Sequence, residues 1–166
     1  MSITHHDKTG HGDDHPPKTL IGWREYVSLP EWGLTRIKAK ADTGARTSVI
    51  DVREVIELED NRVRFEVVVN RNKPDQHIWV ETDIIRRTRV KSSFGATHDR
   101  LIVRTLVKLG EFEKEIELSL VSRKNMLCRM LLGRKALEPE LIVDPHRRYI
   151  HGRKLRKKKP RRGETL

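Results

Sequence analysis

The chain has 166 residues, 36% of them hydrophobic and 36% charged, which suits one domain with a modest core and a surface dense in charge. No apolar stretch approaches the roughly 20 residues of a membrane-spanning helix, and the first residues, MSITHHDKTGHGDDHPP, lack the apolar segment of a secretory signal. A membrane protein is not expected, a cytoplasmic location is, and the single cysteine, Cys128, excludes an internal disulfide.

The net charge of +11 is gathered at one end: residues 147 to 166 carry a balance of +9. Such a block can hold RNA, ribosomes or other polyanions without sequence preference, or it can serve only to keep the chain soluble. Residues 1–18, rich in His, Asp, Gly and Pro, are expected to be disordered. Their histidines (His5, His6, His11, His15) have no fixed scaffold to make a metal site. Residues 19–152 form the expected folded domain, and 153–166 a basic disordered tail.

From Leu20 the pattern is β. IGWREYVSLP alternates and stops at Pro30. NRVRFEVVVN places Val63, Phe65, Val67 and Val69 on one face, and HIWVETDII returns after the turn RNKPD, predicting a hairpin over 62–85. The basic run RRTRVK leads to SSFGATHD, whose small residues predict an exposed loop. RLIVRTLVKLG and EFEKEIELSLVS follow as a second hairpin turning at Gly110 and Glu111. Cys128, beside Leu127 and near Met126 and Met130, reads as a core thiol. RMLLGRKALEPE predicts an apolar run stopped by Gly133, then a short helix ended by Pro139. LIVDPHRRYIHG closes the domain with one more strand. Many short strands with one short helix argue for an all-β barrel or sandwich.

The stretch KAKADTGARTSVID contains an Asp-Thr-Gly turn between two β-prone runs. Asp and Gly are common in turns because Asp hydrogen-bonds nearby backbone and Gly accepts positive φ. A turn of this kind also presents a carboxylate at its tip. Further on, Leu131-Leu132-Gly133-Arg134-Lys135-Ala136-Leu137 gives an apolar-apolar-Gly segment opening a helix.

This ordered pair resembles the pattern of retropepsin-like aspartic peptidases. Three stretches, IGWREYVSLPEWGLTRIKAKADTGARTSVID, RMLLGRKAL and LIVDPHRRYIHG, are similar to a bacterial family labelled ATP-dependent zinc proteases, some of whose members are linked with ATP-grasp enzymes that add glutamates to a ribosomal protein. The resemblance covers roughly residues 20 to 152. It implies a retropepsin-like closed barrel and a catalytic turn of Asp42, Thr43 and Gly44. Two carboxylates within hydrogen-bonding distance share one proton, because like charges that close cannot both ionise; one acts as base on water and the other as acid on the carbonyl oxygen. With one Asp-Thr-Gly per chain, two chains must meet about a twofold axis, so a homodimer is implied. The resemblance also implies that Thr43 braces the turn, that Leu131 and Leu132 pack beneath it, and that Gly133 leaves room for a chain crossing.

Ala45, Arg46, Arg134 and the loop residues Ser93, Phe94 and Gly95 are the candidate substrate-binding residues. Two segments could be the flap over an extended peptide, the hairpin tip at Arg71–Asp75 and the loop at Ser92–Thr97, with spacing favouring the second. Arg86, Arg87, Arg89 and Lys91 could line its approach or form a solvated strand edge. Viral retropepsins carry an acid where Arg46 stands, paired with an Arg where Arg134 stands, so that ion pair cannot form here. The two arginines could read an acidic or glutamate-tailed substrate, or pair with local acids such as Asp51 or Asp144. No metal is expected to be held: there is no His-Glu-x-x-His, and His77, His98, His146 and His151 lack ligand spacing. No cofactor-binding glycine loop appears either. Two rivals stand beside the peptidase reading: a non-catalytic peptide- or ribosome-binding module docking on RNA by its tail, and a metal-dependent peptidase as the family label says.

Overall fold

The computed structural model describes residues 16–69, 75–91, 94–122 and 127–152. Residues 1–15 of the expected disordered segment 1–18, the expected disordered tail 153–166, the turn at 70–74, and Ser92 and Ser93 of the expected flap loop lie outside the described residues. Strands β1 (Thr19–Gly22), β2 (Arg24–Leu29), β3 (Leu34–Ala41), β4 (Ser48–Leu58), β5 (Arg62–Val68) and β6 (His77–Asp83) come first. Strands β7 (Arg86–Lys91), β8 (Thr97–Leu109), β9 (Phe112–Val121), β10 (Met130–Leu132) and β11 (Leu141–Asp144) follow, with the helix α1 (Arg134–Leu137) between the last two.

Period-2 apolar patterning builds these strands. On β5 it buries Val63, Phe65 and Val67, and on β9 Ile116, Leu118 and Leu120. Pairing runs β10–β3–β2–β8–β9–β4, and β4 pairs back onto β10, so six strands close a barrel. Closure leaves no free edge along this ring. The register of β4 shifts between Val52 and Val55: its first part belongs to the barrel beside β9, and its second carries the β5–β6 hairpin. Trp32, in a 3-10 turn after β2, meets Phe65 of that hairpin edge-on, with ring centroids 5.2 Å apart.

Three sequence expectations are refined. IGWREYVSLP is two strands, because Gly22 lies against the closing segment, where an added Cβ would stand 2.7 Å from the Arg147 carbonyl oxygen. The loop expected over SSFGATHD is shorter, since Thr97–Asp99 already pair with Arg89–Lys91 as the upper part of β8. LIVDPHRRYIHG is a strand only over Leu141–Asp144, which runs parallel to β1; Asp144 Oδ1 then accepts the His146 and Arg147 amides and turns the chain.

That closing segment is fastened by Glu25, a carboxylate at an inward position of β2. It accepts the amides of Gly22 (2.8 Å), Ile150 (2.8 Å) and His151 (3.3 Å). Buried carboxylates are tolerated when satisfied in this way.

Candidate active site

Strand β10 slots between β3, to which it is parallel, and β4, to which it is antiparallel. The turn from Asp42 to Thr47 therefore arches over the end of β10, and backbone bonds fix it there. The Asp42 amide donates to Leu132 O (2.9 Å), Arg134 N to Ala45 O (2.8 Å) and Lys135 N to Arg46 O (3.0 Å). The Gly133 amide donates to Ser48 Oγ (3.0 Å). Leu132 is buried beneath the turn, and Leu131 is half-buried beside it.

Gly133 sits where the two chain segments cross. A Cβ there would stand 2.7 Å from the carbonyl carbon of Thr47 and 2.9 Å from that of Arg46. Both are backbone atoms, so Gly133→Ala is expected to force the crossing apart and cost about 1–3 kcal/mol, as overpacking does. Thermal unfolding of the variant checks this; an unchanged melting temperature would contradict the crowding.

Asp42 has two engagements. Its Oδ1 accepts the amides of Gly44 (3.1 Å) and Ala45 (3.2 Å), the local pattern of an Asx-turn. Its Oδ2 has no hydrogen-bond partner among the described residues. The side chain borders a cleft of about 280 Å³ whose lining includes Ala45, Arg46, Val49, Arg100 and Leu131. One carboxylate thus serves the turn through one oxygen and leaves the other available beside open space.

The two arginines singled out from the sequence part company. Arg134 Nη1 donates to the carbonyls of Thr43 (3.0 Å) and Gly44 (3.1 Å), so its guanidinium braces the exposed turn and is absent from the cleft lining. Arg46 does line the cleft. Neither pairs with the local acids suggested for it. Asp51 is bonded to buried Arg129 (2.6 Å), and Asp144 caps its own turn. Strand direction carries Asp51 inward onto Arg129, and Asp144, at the end of β11 beside β1, spends its Oδ1 on the His146 and Arg147 amides.

Arg100 is the cleft residue that sequence reasoning missed. It stands near the root of the β7–β8 hairpin, opposite Thr88. No local motif marks it, because only barrel closure brings β8 to the Asp42 turn. Neither Arg46 nor Arg100 has a carboxylate partner among the described residues. At the tip of the same hairpin Phe94 is 100% exposed and Gly95 adopts φ +82°. The described residues of the other hairpin, β5–β6, contribute nothing to the cleft lining.

Cys128 is buried, as a core thiol would be. Among the described residues no three His, Cys, Asp or Glu side chains converge as a metal site, and no helix is long and apolar enough to cross a membrane.

Comparison with known proteins agrees with this architecture. A family model described as "Retropepsin-like aspartic endopeptidase RimB" matches residues 20–154. A probable alpha-L-glutamate ligase of Shewanella pealeana is 34% identical over 140 residues, 82% of this chain and 31% of that protein. Those of Parasynechococcus marenigrum and Desulfotalea psychrophila are 36% and 37% identical over 131 residues, 77% of this chain and 28% of each relative. The chain therefore spans under a third of these relatives' length. A crystal structure of a Legionella pneumophila protein of unknown function (DUF785) superposes with a TM-score of 0.66 at 25% identity, covering 80% of this chain and 97% of that one. With the turn, the inserted β10 strand and a family match over most of its length, the chain belongs to the RimB-like family of retropepsin-like aspartic endopeptidases.

Proposed function

We propose that the protein is an aspartic endopeptidase that hydrolyses an extended, acidic or glutamate-tailed protein segment, with two Asp42 carboxylates brought together in a twofold homodimer. The observation that carries this reading is the half-engaged carboxylate of Asp42 beside a cleft flanked by two arginines that have no acidic partner among the described residues. One Asp42 takes a proton from water as the water oxygen attacks the scissile carbonyl carbon. The partner copy's Asp42 protonates the carbonyl oxygen, and collapse of the tetrahedral intermediate returns a proton to the leaving amine. Thr43 and Gly44 hold the turn, and Arg134 stiffens it through their carbonyls. The β7–β8 hairpin, with Phe94 at its tip and Arg100 near its root, is the flap in this reading.

The substrate class rests on charge. Guanidinium groups bind carboxylates bidentately, and Arg46 and Arg100 border the cleft that holds Asp42. The relatives named as glutamate ligases are consistent with a glutamate-bearing substrate. Replacing Arg46 and Arg100 by Ala is expected to lower kcat/KM for a glutamate-rich peptide by roughly 10–100-fold, the size of one or two charge-assisted hydrogen bonds. A neutral peptide of equal length should be cleaved as before. Equal losses on both peptides, or none on either, would remove the acidic preference. The hydrolytic assignment itself is tested by Asp42→Asn, for which the non-catalytic module predicts no change in function.

A further inference from the structure

Apart from Arg100 and Lys91, the cations on the wall formed by β7, β8 and β9 are matched by acids. Arg86 pairs with Glu117 (2.8 Å), Arg87 with Glu57 (2.6 Å), Arg89 with Asp99 (3.1 Å) and Lys108 with Glu113 (3.0 Å). Such pairs leave little net field for a partner to feel.

The outer face of β2 and β3 is different. The antiparallel register sets Arg24 beside Lys40 and Tyr26 beside Lys38, with Arg36 next along β3, while Val27, Ile37 and Ala39 point into the core. Glu25 is the single acid in these two strands, and it is turned inward onto backbone amides. Arg24, Arg36, Lys38 and Lys40 have no acidic partner among the described residues. Alternation along β3 spaces Arg36, Lys38 and Lys40 about 6.6 Å apart in a row on one face.

Aromatic rings are set into this cationic face. The Arg36 guanidinium lies 3.7 Å from the centre of the Tyr26 ring, and Tyr149 stacks on Tyr26 at 4.7 Å with the planes 18° apart. Arg24 covers Trp23 at 4.5 Å. Tyr149 is held there in the left-handed region, at φ +55°, with its amide donating to Arg24 O (2.7 Å). A bulky residue in that conformation is uncommon and costs conformational energy, which is a pointer to function. Burial raises the Tyr26 hydroxyl's pKa, but the hydrogen bond with Arg36 and the charges of Lys38 and Arg36 outweigh it and hold the group below its ordinary value. The surroundings therefore favour negative charge at this spot.

An acidic peptide is a poorer match than a nucleic acid. Extended peptides bind sheets by adding a strand to a free edge, but β2 lies between β3 and β8, and β3 between β2 and β10. A sugar-phosphate backbone needs no edge, only cations in a row and ring faces for its bases. The last described residue, Gly152, packs against Tyr26. The sequence that follows, residues 153–166, holds eight Lys or Arg and one acid.

We propose that the outer face of β2 and β3, with Tyr149, binds single-stranded nucleic acid, phosphates resting on Arg36, Lys38 and Lys40 and a base against Tyr149.

The test measures anisotropy of labelled oligouridine and oligothymidine 12-mers with the full chain over a range of salt concentrations; the two probes separate RNA from DNA as the source of the same phosphate chemistry. Exchanging Arg36, Lys38 and Lys40 for Gln should weaken binding and flatten the slope of log affinity against log salt by about 2, three phosphates at ~0.7 each. Tyr149→Leu should weaken binding by about fivefold or more through lost stacking, with the slope unchanged. It also stands as the second variant should the triple exchange fail to fold. Affinity and slope unchanged in both variants would overturn the proposal and leave the terminal sequence as the sole binder. Loss of polyglutamate binding with oligonucleotide binding intact would overturn it in favour of an acidic-peptide face.

Discussion

Asp42→Asn is expected to abolish peptide-bond cleavage, lowering the rate by roughly 10²–10⁴-fold or more, while leaving the fold in place. The exchange isolates chemistry from structure for a specific reason. The turn uses Asp42 Oδ1 only as an acceptor for the Gly44 and Ala45 amides, and the Asn side-chain carbonyl accepts the same two bonds. The melting temperature should therefore stay close to wild type. What is lost is the capacity to hold or release a proton beside the cleft. The dimer requirement adds a second readout. Mixing wild-type and Asp42→Asn chains, then letting subunits exchange, should drop activity per wild-type chain below an unmixed control, since a mixed pair holds one carboxylate. Full activity in Asp42→Asn would end the aspartic reading. Activity unaffected by mixing would end the shared site.

The second large effect concerns stability. Asp51 on β4 and Arg129, just before β10, form a 2.6 Å ion pair with both side chains less than a tenth exposed. The Asp51 amide also donates to Arg129 O (2.8 Å), next to the Met130–Ile50 register pair that closes the barrel. Removing one member breaks this buried ion pair, so Asp51→Ala or Arg129→Met is expected to cost about 3–5 kcal/mol. Replacing both together with Leu and Met should cost much less than the sum, because no charge remains to be solvated. Urea unfolding of the two single variants and the double closes the cycle. Single costs below about 1 kcal/mol would show the pair to be solvated and incidental. Cleavage should suffer in the single variants too, since β10 supplies the Leu132 carbonyl that holds Asp42.

Local signals made much of this molecule legible. The hairpins β5–β6 and β8–β9 were readable because alternation of side chains is a two-residue property, felt within each strand. The helix was readable from Gly133 before it and Pro139 after it. The paired segments Asp42-Thr43-Gly44 and Leu131-Leu132-Gly133 pointed to the family, and the family model agrees. Glu25 was not legible. A charged residue at an inward β position looks solvated until the amides of Ile150 and His151 arrive from the far end of the chain. The Arg134 contact was not legible for a related reason: the two carbonyls it donates to lie some ninety positions away.

The strands, the turn that carries Asp42 and the uneven spread of charge follow from residue type and short-range spacing alone. Which cations are free follows from how the strands pack. Barrel closure turns Asp51 inward to meet Arg129, lays Arg134 on the turn, and brings Arg100 to the cleft beside Arg46. Charge is a property of a residue, but its availability depends on which strands meet, and that is a long-range outcome of packing.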